Sequence, residues 1–270
     1  MREQRVRELA YRTWPEVKEA IDGGAGVVLP VGSTEQHGPH LPLSTDSLLA
    51  TDLALAIAEK FDLLVAPPIT YGYRSRPLTG GGQTFVGTTS LRGTTLIETI
   101  ADVLRELLRH GYKRLVLINW HMENQNFIYE GAFEAAKDLP LETEAKIMIV
   151  ELPFQELAPE TMNFIFEGDF PGWGIEHAAI LETSLMLHLH SRLVHMDRAV
   201  DDAPEIRAWY DVLPIQNEFV AKSGSLWHAT KSSDEKGRRA WAEIVSQLED
   251  AVERELDKKR FGATVVRPTR

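Results

Sequence analysis

Between Pro30 and Asp46 the chain reads PVGSTEQHGPHLPLSTD, and Glu35, His37 and Asp46 in it carry metal-binding side chains. In an extended segment, residues two apart point the same way, so Glu35 and His37 aim at one point. Asp46 closes on that point from the start of the helix expected to follow. Carboxylate, imidazole and carboxylate together suit a divalent ion of the zinc or manganese type. Glycines and prolines stiffen the turn that carries them.

The pattern recurs in mirror order. His121 and Glu123 follow the apolar run Arg114–Asn119 as His-x-Glu, as Glu35 and His37 follow Val27–Val31 as Glu-x-His. Strands of one parallel sheet would release both pairs at its carboxyl edge, where open α/β sheets build ligand crevices. Five donors, Glu35, His37, Asp46, His121 and Glu123, suggest two ions with one bridging carboxylate. Such a pair lowers the pKa of a water held between the ions and polarises a carbonyl oxygen. One Glu-x-His alone is unspecific, because most such pairs lie on surfaces. Two of them, at two strand ends, are harder to explain that way.

The elements that must position these groups are legible as well. Thr13-Trp14-Pro15-Glu16 reads as a capping box with Pro just inside a helix that runs to about Ile21 and stops at Gly23-Gly24. Strands are expected at Val27–Val31, Leu63–Ala66, Arg114–Asn119 and Ala145–Glu151. Helices are expected at Ser47–Lys60, Thr94–His110, Gln125–Lys137, Glu176–His190 and Ser233–Lys258. In Thr94–His110 the apolar Leu96, Ile100, Val103, Leu104 and Leu107 repeat at helical spacing and form a core stripe. Pro67–Gly93 is a long, Gly-rich loop of the kind that is usually functional. Pro153–Phe170 holds a short helix and a loop, Val194–Ala229 a loop with a hairpin, and Phe261–Arg270 a tail. Strands alternating with helices predict an α/β fold: a mostly parallel sheet flanked by helices on both faces, a layered sandwich. No repeat, low-complexity tract or linker divides the chain, so a single domain over 1–270 is expected.

Composition narrows the function classes. The 270 residues include no cysteine, which excludes disulfides, thiolate zinc sites and a cysteine nucleophile and fits a cytoplasmic enzyme. A net charge of −11 argues against nucleic acid as the main partner. No apolar run is long enough to span a bilayer, and the charged opening Met1–Arg12 has no signal-peptide pattern. No Gly-x-Ser-x-Gly elbow supports a serine hydrolase.

Taken together, several stretches resemble the creatininase (creatinine amidohydrolase) family. They are Pro30–Asp46, Tyr71-Gly72-Tyr73 through Gly80-Gly81-Gly82 to Gly87-Thr88-Thr89-Ser90-Leu91, Asn119–Asn124, and Gly172-Trp173-Gly174-Ile175-Glu176-His177 with Glu182-Thr183-Ser184-Leu185-Met186. The match is close from about Trp14 to about Leu189. The resemblance implies a binuclear metal hydrolase acting on cyclic amides, with zinc, manganese or both. It implies one ion on Glu35, Asp46 and His121 and another on His37, Asp46 and Glu123. A hydroxide bridging the ions would attack the ring carbonyl carbon. His177 would relay a proton to the leaving nitrogen, and Glu123 would help orient the water. Trp173, Glu176, Met122, Tyr73 and Ser90 are the expected substrate contacts. A small cyclic substrate is the expected partner, with neither nucleic acid nor membrane, and the family is commonly a homohexamer. Creatinine to creatine is the best single reaction. Met122 and Trp120 depart from the aromatic and glycine usual there, and the Trp expected near Pro153–Phe154 is missing. The alternatives are therefore another small ring, such as a dehydro-inosose, or a non-catalytic binding protein on the same fold.

Other residues have plainer expected roles. Asn119 and Asn124 either support the ligands by hydrogen bonds or simply end a strand and cap a helix. His40 is a hydrogen-bonding residue. Glu182, five residues from His177 on one helix, would lie well round it and serve as buried support. His110 sits at a helix C-terminus, and His188, His190, His195 and His228 are structural or exposed. Thr79-Gly80-Gly81-Gly82 lacks the Gly-Lys-Ser/Thr of a phosphate loop and is read as a flexible loop shaped for the metal site.

Overall fold

Val31 and Asn119 are the last paired residues of two neighbouring parallel strands, so the two candidate ligand pairs leave the sheet on the same rung. In this computed structural model, which describes residues 7–256 apart from 138 and 141, strands β1 (Gly26–Val31), β2 (Leu63–Val65), β3 (Arg114–Asn119) and β4 (Lys146–Val150) form one all-parallel sheet. Its order is β2-β1-β3-β4. From β1 the chain steps outward to β2, then crosses back to β3 on the other side. The carboxyl ends of β1 and β3 are therefore the switch point where such sheets open a crevice.

Helices α1 (Trp14–Asp22), α2 (Thr45–Lys60), α3 (Gly93–Arg109), α4 (Gln125–Ala136), α5 (Pro159–Phe166), α6 (Ile180–His190) and α7 (Asp234–Leu256) cover both faces. β1 is buried along its whole length, which is why it reads as an unbroken apolar run rather than an alternating one. Alternate residues still serve opposite cores. Val28, Val116 and Ile118 meet apolar residues of α2, α5, α6 and α7, such as Leu53, Ile165, Leu185 and Ile244. Val27, Leu29, Leu115 and Leu117 meet Leu96, Ile100 and Leu104 of α3 and Ile128 of α4. The expected stripe of α3 is thus a core face. At α1 the capping box forms, with the Thr13 N–H and hydroxyl both donating to Glu16.

Two elements differ from expectation. The segment Glu176–His190 does not start as a helix: α6 begins at Ile180, and Ala178 turns through a positive φ of 50°. Two carboxylates hold this start open. Glu176 accepts the Leu181 N–H at 2.7 Å and Glu182 accepts the Ala178 N–H at 2.8 Å, taking donors that a longer helix would use. The segment 194–229 holds no hairpin among the described residues, only short 3₁₀ turns and an isolated bridge between Asp201 and His228. The expected tail at Phe261–Arg270 and the last residues of the final helix lie outside the described residues. No described helix is long and apolar enough to cross a membrane.

Candidate metal centre

The turn after β1 is set by a close approach. A Cβ at Gly32 would fall 2.5 Å from the Ser47 nitrogen, so only a glycine lets the first turn of α2 pack against the strand end. That first turn carries Asp46. Asn119 fastens the neighbouring strand end: its amide donates to the carbonyls of His121 (2.7 Å) and Glu151 (2.8 Å), and its oxygen accepts the His121 N–H at 3.2 Å. Asn124 donates to Gly32 O at 3.0 Å and accepts the Tyr73 N–H at 2.7 Å. Both asparagines therefore sew the ligand-bearing turns together.

The donors converge in two groups that meet at one carboxylate. His121 Nδ1 lies 3.1 Å from Glu35 Oε2 and 3.2 Å from Asp46 Oδ2. His37 Nε2 lies 3.1 Å from Asp46 Oδ1 and 3.7 Å from Glu182 Oε2. Asp46 thus turns one oxygen to each imidazole, the disposition of a bridging ligand. Main-chain carbonyls fix both rings. His37 Nδ1 is 3.1 Å from Glu35 O and His121 Nε2 is 2.9 Å from Tyr73 O, so a carbonyl fixes one N–H of each ring and the other nitrogen faces the centre. Among the described residues, two buried sets have donor atoms within 4.8 Å of one another: Glu35, Asp46 and His121, and His37, His177 and Glu182.

Glu35 Oε2, His37 Nε2 and Asp46 Oδ2 are buried with no hydrogen-bond partner. Orphaned polar atoms are rare in interiors and call for an unseen partner. Three of them at one convergence, all oxygen or imidazole nitrogen, fit divalent cations of the zinc or manganese type.

The electrostatics agree. Burial works against charge on His37, but Asp46 and Glu182 overcome it and hold its pKa up at about 10. His121 is likewise buried yet raised well above the ordinary value, chiefly by Glu35 and Asp46. Burial would raise Glu35 and Asp46, but the facing imidazoles hold both below the usual carboxylate range. Protons on the two rings thus take the part that cations would play. Burial, aided by Asp46, lifts Glu182 to about 7, and burial with Glu182 beside it lifts Glu176 to about 8. Burial also drops His177 to about 4, so the ring is neutral.

Not every expected contact stands at this centre. Glu123 lies on the far side of the His121 ring, with Oε2 3.5 Å from Nε2, and its other oxygen accepts the Thr79 hydroxyl and the Arg76 N–H. Burial raises it above the usual range. Glu182, expected to point away, instead stands beside His37, because His177 precedes the helix and the turn at Ala178 swings the two together. Trp173, Glu176, His177 and Met122 line the cleft over the centre, with Thr79, Trp120 and Phe154. Tyr73 and Ser90 stand elsewhere: Tyr73 packs on Phe127 at 4.1 Å between ring centroids, and Ser90 accepts Gln83 Nε2 at 2.8 Å. The rings of Trp120, Phe154 and Trp173 pack in sequence, tilted to one another, with centroids 5.4 and 5.0 Å apart, so an aromatic wall exists without a Trp near 153–154. Glu182, expected as buried support, and Thr79, expected only as part of a loop shaped for the metal site, both line the cleft. Only the early end of the helix signal near Glu176 could have pointed to the first. His40 bonds Thr183 Oγ at 2.8 Å, as a hydrogen-bonding residue should.

Comparison with known proteins follows the same line. The family model for creatininase (creatinine amidohydrolase) matches residues 10–252. Creatinine amidohydrolase of Pseudomonas putida is 40% identical over 247 residues, covering 90% of this chain and 95% of the relative. A mycofactocin precursor peptide peptidase of Mycolicibacterium smegmatis is 29% identical over 243 residues, 84% of each chain. The 3-dehydro-scyllo-inosose hydrolase of Thermotoga maritima is 27% identical over 216 residues, 80% of this chain and 64% of the relative. A mutant creatininase complexed with creatine superposes with a TM-score of 0.88 at 38% identity, covering 92% of this chain and 98% of that one. A zinc form of a mutant creatininase and a manganese form of creatininase each superpose with a TM-score of 0.87.

Proposed function

The chain belongs to the creatininase family of metal-binding hydrolases, and on that premise we propose that it opens the ring amide of creatinine to give creatine. The observation that carries this reading is Asp46 shared between His37 and His121 beneath an aromatic-walled cleft. The substrate is favoured by 40% identity to creatinine amidohydrolase, against 29% and 27% to the peptidase and the inosose hydrolase.

Glu35, Asp46 and His121 would hold one cation, and His37, Asp46 and Glu182 the other. Bound there, two divalent cations supply Lewis acidity, lowering the pKa of water and polarising a carbonyl oxygen. In the reaction water adds to the ring carbonyl carbon, the C–N bond breaks, and the leaving nitrogen gains a proton. His177, neutral and beside His37 with ring centroids 4.4 Å apart, accepts a proton and returns it to that nitrogen. Glu123, held by Thr79 and lining the cleft, helps orient the attacking water. Trp120, Phe154 and Trp173 exclude bulk water and pack against a flat, small ring. Zinc or manganese in both positions and a homohexameric assembly belong to the same proposal.

A second reading, a different small ring as substrate, is favoured by Met122 in the cleft where an aromatic residue is usual. Metal analysis followed by assays on creatinine, other cyclic amides and a dehydro-inosose tests both. Turnover of another ring but not creatinine corrects the substrate. A fully metal-loaded protein inert on all of them supports a binding protein instead.

A further inference from the structure

We infer that Gln36 is a positioning residue that fixes which nitrogen of His177 carries the proton; this rests on the acid–base role proposed for His177. Gln36 is buried between Glu35 and His37. Its Oε1 accepts the Gly38 N–H at 2.9 Å, and its Nε2 lies 3.0 Å from Gly80 O and 3.1 Å from Gly224 O. The opposite amide orientation would set an oxygen against two carbonyls, so this one is forced. Both amide protons are then committed.

His177 Nε2 lies 2.9 Å from Gln36 O and 3.0 Å from Gln36 Nε2. A proton on His177 Nε2 gives three donors, two from the amide and one from the ring, to three carbonyls. A lone pair there instead leaves two amide protons for four acceptors. Buried acceptors without donors are costly, at about 1–3 kcal/mol each. The balance assigns the proton to Nε2 and the lone pair to Nδ1 on the ring that lines the cleft. Bare backbone makes this possible. A Cβ at Gly80 would lie 2.7 Å from His177 Cδ2, and one at Gly224 would lie 1.8 Å from Gln36 Oε1. The same loop also donates Leu226 N–H to His177 O (3.1 Å) and Ser225 Oγ to Ala178 O (2.9 Å). Gln36 is therefore the staple through which the loop around Gly224 holds the acid–base group.

The test is ¹⁵N NMR of the histidines in zinc-loaded protein, with turnover measured alongside. Wild type should show His177 with a protonated Nε2 and a bare Nδ1. Gly224→Ala should blur that pattern and cut kcat by on the order of tenfold to a hundredfold, with KM and bound metal unchanged. Gly24→Ala is the control, because Gly24 shares a similar positive φ (88° against 84°) and its Cβ would meet nothing within 4 Å. It should lower stability and leave the His177 signals alone. If Gly224→Ala does not fold, Gln36→Met, which keeps length and removes both donors, should show the same His177 change. A wild-type His177 protonated on Nδ1, or a variant whose His177 signals match those of Gly24→Ala, would overturn the inference. The tautomer is read without turnover, so an active His177→Ala would sink the acid–base role separately.

Discussion

Glu182 Oε2 stands 3.7 Å from His37 Nε2, the nitrogen that also faces Asp46 Oδ1 at 3.1 Å. Replacing Glu182 with Gln keeps its shape and removes its charge. The variant should lose the ion on the His37 side, with affinity there falling roughly 10- to 100-fold. Elemental analysis after gel filtration should then give fewer ions per chain than wild type. An unchanged metal count removes Glu182 from the donor set.

His177 touches the cleft but is not needed to bind either ion in the proposed sets. His177→Ala should leave metal content intact and lower kcat by about 10²- to 10⁴-fold, the usual worth of a positioned acid–base group. Equal turnover in variant and wild type would end its catalytic assignment.

Binding of the cations should release protons. Without them His37 is protonated up to about pH 10, and His121 is also held protonated above its ordinary range. A metal ligand must present a neutral ring, so these protons leave as the ion arrives. Affinity should therefore rise as pH rises from about 6 to about 8. Calorimetry in buffers of different ionisation enthalpy reads the released protons directly. Chelation should abolish turnover, and added zinc or manganese should restore it.

One pH effect on stability lies away from the centre. His190 Nε2 is 2.5 Å from Asp52 Oδ2, and that hydrogen bond raises the His190 pKa above its ordinary value. A histidine raised by folding stabilises most below its unfolded pKa, and that stability fades as pH rises through the folded value. His190→Gln should therefore lower the melting temperature at about pH 5.5 more than at about pH 8.5, either side of the ordinary histidine pKa. A loss equal at both pH values would mean the pair contributes packing rather than charge.

Leu53 of α2 is fully buried beside the sheet. Leu53→Ala should cost about 2–5 kcal/mol in urea unfolding by opening a cavity under the helix that carries Asp46. A cost well under 1 kcal/mol would show that the site collapses around the smaller side chain.

Much of this is legible in the sequence. Helix and strand periodicity gave α3, β1, β3 and α4 to within a residue or two, because those signals come from neighbours along the chain. The Thr13–Glu16 cap was equally local. The pairing of Glu35-x-His37 with His121-x-Glu123 followed from both leaving strands of one parallel sheet. The later segments resisted for the same reason. Between 194 and 229 little period exists to read, and its order comes from contacts such as Asp201 with Thr230.

Sequence alone determined that Glu35, His37, Asp46 and His121 would meet at the carboxyl edge of a parallel sheet, since type and spacing constrain such neighbours directly. Only the tertiary structure decided that Glu182 rather than Glu123 stands beside His37, and that Gln36 ties His177 to two distant loops. Those outcomes hang on one positive φ at Ala178 and on carbonyls of Gly80 and Gly224 brought in from far along the chain. Interactions of that kind exist only once the whole chain has packed, so no local pattern records them.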